Sequence, residues 1–155
     1  DDTGRIDTRH RIRRSFWQQL VNNPNARLHA HITPGYYSWI GTSSGVRGLN
    51  LNYALTKDQA SAELYIDRGR NSDAENKRIF DQLLAHKDQI DASIGRPVSW
   101  ERLDEKRASR IRIAIPGGYT SPETEWEGIQ NNMINAMNAL NQAITPHLAS
   151  LRLGN

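Results

Sequence analysis

The stretch that decides the fold is residues 49–67, which read LNLNYALTKDQASAELYID. In its first half, leucine or tyrosine alternates with Asn50 and Asn52; in its second half, apolar residues alternate with Glu63 and Tyr65. A period of two is typical of a strand with one buried face and one face in water. The short connection between the halves requires antiparallel pairing. The sequence therefore predicts an antiparallel pair with one polar face.

Three further strands are predicted around this pair. Aromatic and β-branched residues predict a strand over 36–40, followed by a glycine- and serine-rich turn at 41–45. Residues 98–103 and 108–115 predict two more strands, separated by a charged turn. In the last of these strands, alternation predicts isoleucines on the buried face and two arginines on the polar face.

Three amphipathic helices are predicted from apolar residues spaced by three and four. The first runs from Asp7 or Thr8 to Asn22, the second spans 73–94, and the third spans 122–145. The order of elements is thus helix, three strands, helix, two strands and helix. We expect a two-layer α+β fold with a mainly antiparallel sheet of about five strands, covered mainly on one side.

The length of 155 residues suits one domain, so we expect residues 1–155 to form a single folding unit. The chain opens at Asp1 without a methionine, which favours a C-terminal fragment of a longer protein. The first part of this order, helix, three strands, helix and strand, is also the order of elements in the core of restriction endonucleases. A degenerate α/β core of that type is therefore the alternative fold.

Composition excludes several classes of protein. Cysteine is absent, which rules out disulfides, thiol nucleophiles and thiolate metal sites and fits a cytoplasmic location. No apolar run approaches the roughly 18 residues of a membrane span, so no membrane partner is expected. Of the 20 lysines and arginines, 16 are arginine, and the formal net charge is +3. Because the guanidinium group binds phosphate and carboxylate well, this bias favours DNA, RNA or another acidic partner.

Nuclease chemistry is the first catalytic hypothesis. A restriction-type site needs an acid near the second strand and a Glu-x-Lys pattern on the third, to hold a divalent ion and activate water. Tyr65 stands where the lysine is needed, and asparagines occupy the second strand. We therefore expect no catalytic residue, metal or cofactor in this domain. A divergent nuclease stays as an alternative, which requires Glu63 to cluster with Asp58 or Asp67.

Metal binding by histidine is the second hypothesis. His29 and His31 have the i, i+2 spacing that places both side chains on one side of an extended segment. Two histidines supply only half of a typical zinc site. We expect both to be exposed loop residues.

A cationic surface is the third hypothesis. Phosphate contacts require positive charges in register, and an adjacent tyrosine can stack on a base. The candidate nucleic-acid-binding residues are Arg68 and Arg70 after the third strand, Lys106, Arg107, Arg110 and Arg112 on the last hairpin, and Tyr65 beside them. The alternative is a solvated surface on which acidic residues of the same strands neutralise these arginines.

Five short strings occur in order along the chain: RRSFW at 13–17, ELYI at 63–66, FDQL at 80–83, WERL at 100–103 and ASRI at 108–111. Together they resemble a prokaryotic family of domains of unknown function. Members of that family often lie C-terminal to a restriction-type nuclease module. The resemblance implies an accessory domain in a nucleic-acid-processing or defence protein, with a nuclease module in the same chain as its partner. It transfers no active site.

The sequence thus predicts a non-catalytic accessory domain that binds nucleic acid or positions a nuclease partner. A protein-interaction or oligomerisation module is the alternative of a different class. Its contact surface would be the helix at 122–145, because that helix carries a long apolar stripe.

Overall fold

The computed structural model describes residues 2–154 of the chain and side chains from Thr8 onward. The described helices and strands, in chain order, are α1 (Asp2–Val21), β1 (Trp39–Val46), β2 (Leu49–Leu55), β3 (Gln59–Ile66), α2 (Asp73–Leu84), α3 (Lys87–Ile94), β4 (Ser99–Glu101), β5 (Ser109–Pro116) and α4 (Trp126–Leu148). Short 3-10 turns precede β1 and α4, at Arg27–His29 and Glu123–Glu125.

The five strands form one sheet in the order β1-β2-β3-β5-β4, and each pair of neighbours is antiparallel. The last strand of the chain, β5, therefore lies between β3 and β4. Because both pair with β5 antiparallel, β4 runs in the same direction as β3, and α2 and α3 provide the crossover between them. The α+β class and the antiparallel five-stranded sheet are confirmed, whereas the restriction-like alternative is not.

One face of the sheet is apolar and carries the core. Paired residues Leu51, Leu64 and Ile111 form one row across β2, β3 and β5, and all three are buried. The long helix α4 packs across these strands, α2 packs on β3 and β5, and α3 packs on α4. Each fully buried leucine or isoleucine contributes about 1.5 to 3 kcal/mol, so this layer supplies most of the driving force for folding.

The opposite face is mainly polar, and we call it the open face. Its residues form three cross-strand rows: Trp39, Ala54, Ser61 and Ala114; Gly41, Asn52, Glu63, Arg112 and Ser99; and Ser43, Asn50, Tyr65, Arg110 and Glu101. Arg110 and Arg112 thus lie outward as predicted, and the isoleucines of β5 lie in the core. The alternation in sequence fixed this division, because neighbouring residues of a strand face opposite sides.

The predicted count of three helices is wrong, because the second one is divided. Helix α2 ends at Leu84 and α3 begins at Lys87, although Ile79, Leu83 and Ile90 keep one helical spacing and all are buried. The two halves pack on different neighbours: α2 lies on the sheet and α3 lies on α4. Packing therefore bends the chain at a point where the sequence contains neither glycine nor proline.

The predicted start of the sheet is also shifted. The strand expected over 36–40 and the turn expected at 41–45 are replaced by β1, which continues to Val46. The chain reverses instead at Arg47 and Gly48, where Gly48 has a φ of +85°. An added Cβ at Gly48 would lie 2.7 Å from the Cα of Arg68, so the close approach of the backbones requires glycine.

Among residues 2–154, no helix combines the length and the apolar character that crossing a bilayer requires.

Candidate functional site

Three of the six predicted cationic residues, Lys106, Arg107 and Arg110, meet near the end of β3. A cleft of about 300 Å³ opens there between the open face and the β4–β5 turn, and we call it the strand-end cleft. Its lining is Tyr65, Asp67, Leu103, Lys106, Arg107, Ala108 and Arg110. Four of the seven residues predicted from the sequence therefore line one cleft.

The cations of the strand-end cleft differ in how far they are neutralised. Arg107 donates from Nη2 to Oδ2 of Asp67 at 2.7 Å, and Arg110 donates from Nε to Oε1 of Glu101 at 2.8 Å. The Lys106 ammonium forms no ion pair with any side chain that the structure describes. The cleft thus offers one unpaired ammonium and two guanidinium groups with unused N–H donors.

Asp67 anchors the acidic side of the cleft. Partial burial acts to raise its pKa, but hydrogen bonds from Arg107 and from the backbone N–H of Gly69 outweigh that effect and lower the pKa. The carboxylate therefore stays ionised at neutral pH. It orients Arg107 towards the cleft.

Asn76, on α2, joins the two loops that carry the predicted residues. Its side chain is fully buried, and its Nδ2 donates to the carbonyl oxygen of Arg107 at 3.1 Å. Its Oδ1 accepts from the backbone N–H of Arg68 at 3.0 Å. A single amide therefore fixes the loop after β3 against the turn before β5.

Lys77 fixes the same turn from the next position on α2. Its Nζ lies 2.6, 2.8 and 2.7 Å from the carbonyl oxygens of Arg102, Leu103 and Ala108. Burial lowers the pKa of this ammonium, although nearby aspartates act in the opposite direction. Its Nζ also lies 3.0 Å from Oγ of Ser109, so all these contacts are with the turn and the start of β5, and Lys77 acts as a structural cation that shapes the cleft.

Three of the predicted residues lie outside the cleft lining. Arg68 donates from Nη1 to the carbonyl oxygen of Arg47 at 2.6 Å, and its Nε lies 3.2 Å from Oε2 of Glu75. Arg70 is exposed on the loop that Asn76 joins to the cleft. Arg112 lies one row away from Arg110 and donates to Oε1 of Gln59 at 2.7 Å.

The centre of the open face holds a buried acid. Glu63 is only 5% exposed, and its Oε2 lies 3.7 Å from Nη1 of Arg110 and 3.8 Å from Nε of Arg112. Burial raises its pKa despite the two arginines. With Glu101 on the other side of Arg110, two acids lie beside two arginines here, although Glu63 is buried and not solvated as the alternative surface requires.

Asn76 and Lys77 were missed by sequence reasoning. Both lie inside a helix that the apolar spacing predicts, where polar residues are expected to face water. The one feature of the sequence that could have indicated their role is their position. Both lie in the first turns of α2, shortly after the loop that carries Arg68 and Arg70. Only the packing of α2 beside the β4–β5 turn shows that they face protein.

The catalytic and metal hypotheses depend on the surroundings of Glu63, Asp67 and His29. Within the described residues, no group of three or more histidine, aspartate and glutamate side chains is arranged to hold a metal ion. Asp67 is held by Arg107 and Gly69, and Glu63 lies between arginines. His29 is not an exposed loop residue as expected: it is fully buried, its Nε2 lies 2.8 Å from the carbonyl oxygen of Leu51, and its ring packs on Tyr53.

The helix predicted as an oligomer contact, 122–145, corresponds to α4, whose apolar stripe lies in the core. The apolar stripe of α4, which includes Trp126, Met133, Met137 and Ile144, is buried in the core of this same chain. No apolar stripe of α4 is therefore exposed for contact with a second protein.

Comparison with known proteins gives one match. A family model described as a domain of unknown function (DUF4268) matches residues 12–148. No curated protein and no solved structure matches the chain.

Proposed function

The chain belongs to this family of domains of unknown function, and we propose that it binds nucleic acid through the strand-end cleft. In this role it is a non-catalytic accessory domain that holds nucleic acid for a nuclease partner. The observation that carries the proposal is the meeting of Tyr65, Lys106, Arg107 and Arg110 around one cleft.

The chemistry of the cleft suits a phosphate-bearing ligand. Lys106 supplies a point charge, while Arg107 and Arg110 supply planar donors that match phosphate oxygens. The side chains of Arg107 and Arg110 are 47% and 33% exposed, so a ligand can reach both. Tyr65, half-buried beside them, adds a ring next to the cations.

The cleft is also preorganised. Asn76 and Lys77 hold both backbones that border it, so the loops need little further ordering when a ligand binds. Ordering side chains and loops on binding reduces affinity, and a cleft that is held in advance avoids part of that loss.

Fluorescence anisotropy with labelled DNA and RNA at low salt tests the proposal. We expect binding that weakens steeply as salt rises, because each neutralised phosphate releases counterions. The double variant Lys106→Ala, Arg107→Ala should bind more weakly, and the slope of log K against log salt should fall by about two.

The matched control is Lys57→Ala, Arg27→Ala, which removes the same two charges from exposed positions outside the cleft. Lys57 lies at the other end of β3, about 25 Å away along the strand. Equal losses in both double variants, or no binding to any nucleic acid at low salt, would contradict the proposal. Thermal melts should show that both variants are folded.

The nuclease-positioning role has a separate test. We expect the full-length gene product to contain a nuclease module in the same chain. A gene product without one removes this part of the proposal and leaves nucleic-acid binding to be decided by the anisotropy measurement.

A further inference from the structure

A second aromatic side chain stands on the open face at a distance from the strand-end cleft. Trp39 is 52% exposed, whereas Trp17 and Trp126 are buried and Trp100 packs against the core. Its row contains only small neighbours, Ala54, Ser61 and Ala114, so no large side chain covers the indole across the strands. The ring is accessible to a planar ligand.

The backbone beneath Trp39 keeps the indole close to the sheet. The next residue on the same side of β1 is Gly41, and an added Cβ there would lie 3.3 Å from ring atom Cζ3 of Trp39. The side chain of Asn52 fills the rest of the space that a side chain at Gly41 would need. Because Gly41 lies between Trp39 and Ser43, the indole extends along the strand towards the row that contains Tyr65.

The surface between the two aromatic side chains can form hydrogen bonds and is close to neutral. The half-buried Asn50 carries an amide that can donate and accept, and Arg112 adds guanidinium donors. Asn52 is only 6% exposed, so its amide is not accessible to a ligand. The buried Oδ1 of Asn52 has no hydrogen-bond partner. Glu63 is buried between Arg110 and Arg112, and the two partly exposed acids near the path, Glu101 and Asp67, are paired with Arg110 and Arg107.

The spacing of the two aromatic positions sets a length. Trp39 and Tyr65 are four residues apart along the strand direction and two strands apart across the sheet. Their Cα atoms are therefore about 17 Å apart. At about 3.4 Å between stacked bases, this distance corresponds to about five nucleotides.

We propose that the open face binds a single strand of DNA or RNA whose bases stack on Trp39 and Tyr65 and whose backbone runs into the strand-end cleft. Stacking requires unpaired bases, because the faces of bases inside a duplex are already covered by their neighbours. The inference rests on the proposed function and adds the substrate class. Positive charge at one end of the path and aromatic rings along it, the exposed ring of Trp39 and the half-buried ring of Tyr65, are the two features that single-strand binding combines.

Paired anisotropy titrations test the inference. We expect a single strand of DNA or RNA to bind more tightly than a duplex of the same sequence at the same salt. Trp39→Ala should weaken single-strand binding roughly tenfold or more and leave duplex binding unchanged. Trp39→Phe should restore most of the loss, because phenylalanine also stacks.

The salt slope separates stacking from charge. Trp39→Ala removes no charge, so the slope of log K against log salt should stay that of the unmodified protein. The control is Tyr36→Ala, an aromatic side chain that is 47% exposed in the same segment but is held by Arg14 and His10. It should leave single-strand binding unchanged.

A length series completes the test. With oligonucleotides of about two to eight nucleotides, affinity should rise with length up to about five nucleotides. Beyond that length, the only further gain should come from the larger number of equivalent positions at which a longer strand can bind. Equal affinity for single strand and duplex, or unchanged single-strand binding by Trp39→Ala, overturns the inference even if Lys106→Ala, Arg107→Ala still weakens binding. The absence of all binding overturns the proposed function itself. Tighter binding of a DNA or RNA single strand than of its duplex supports the inference, and the strand type with the higher affinity identifies the ligand.

Discussion

The centre of the open face and the strand-end cleft both contain acids and cations, but the two regions differ in how far the cations are neutralised. At the centre, Glu63 lies opposite Arg112 and Glu101 lies opposite Arg110, so the strand register brings each arginine an acid. At the cleft, Lys106 lies on a turn, and a turn residue has no cross-strand partner to neutralise it. Charge on the strands is therefore largely balanced within the sheet. On the turn, Arg107 is paired with Asp67, whereas Lys106 has no ion-pair partner among the described residues and stays available to a ligand.

Glu63 at the centre of the open face and Asp67 at the strand-end cleft also differ in the direction of their pKa shifts. Glu63 is buried, and burial raises its pKa, while Asp67 at the strand end receives strong hydrogen bonds that lower its pKa. Their ionised forms should therefore affect the free energy of unfolding in opposite directions.

Removing the cation that holds the strand end should have the largest effect. Lys77→Met removes the ammonium that contacts the carbonyl oxygens of Arg102, Leu103 and Ala108. The first two keep donors in Ser109 Oγ and the N–H of Lys106, whereas Ala108 loses its side-chain donor. We expect the free energy of unfolding to fall by about 2 kcal/mol. Urea denaturation measures it. Lys87→Met is the control, because that ammonium is exposed and pairs only with Asp91; its stability should stay nearly unchanged. Equal stability of the Lys77→Met variant and the unmodified protein would show that these contacts do not hold the turn.

Asp67→Asn tests the acid of the strand end. The substitution removes the charge that accepts from Gly69 and Arg107, and we expect a loss of about 1 kcal/mol at neutral pH. Because the folded pKa lies below the unfolded value of about 3.9, the unmodified protein loses this advantage as pH falls through the folded pKa. Urea denaturation as a function of pH should show the two proteins converging at acidic pH. A constant difference at all pH values would mean that the charge of Asp67 is not its cause.

Glu63→Gln should have the smallest effect and the opposite sign. Because the folded pKa of Glu63 is raised, its ionised form costs stability above that pKa, and the neutral amide should gain up to about 1 kcal/mol at neutral pH. The gain should disappear as pH falls and Glu63 in the unmodified protein becomes protonated. A loss of stability at neutral pH would show instead that Arg110 and Arg112 stabilise the charge more than burial opposes it.

Much of the sheet could be predicted because alternation along a strand is a local property. Residues 49–67 predicted β2 and β3, and the outward arginines of β5 followed from the same period. The shifted β1 was missed because Gly41 and Gly45 resemble turn residues, whereas Gly41 instead makes room for Asn52 within the sheet. Division of the second helix was missed because its apolar spacing continues unbroken through the bend.

The candidate site was predicted less completely than the fold. Arginine, lysine and tyrosine beside a strand end could be recognised as a surface that suits phosphate. Which of them are neutralised depends on the neighbours that the sheet register and the turns provide, so the difference between Arg112 and Lys106 has no local signal. Asn76 and Lys77 are polar residues of an amphipathic helix, and their buried contacts require knowledge of what lies beside that helix.

The sequence by itself determined the α+β class, the antiparallel central strands and the outward placement of Arg110 and Arg112, because each follows from periodicity over a few residues. Only the tertiary structure decided that β5 enters between β3 and β4, and this insertion sets Glu63 opposite Arg112 and brings the β4–β5 turn beside Tyr65. Strand order depends on contacts between residues far apart in the chain, and such contacts leave no period in the sequence. The strand-end cleft and the path from Trp39 towards it are consequences of that order.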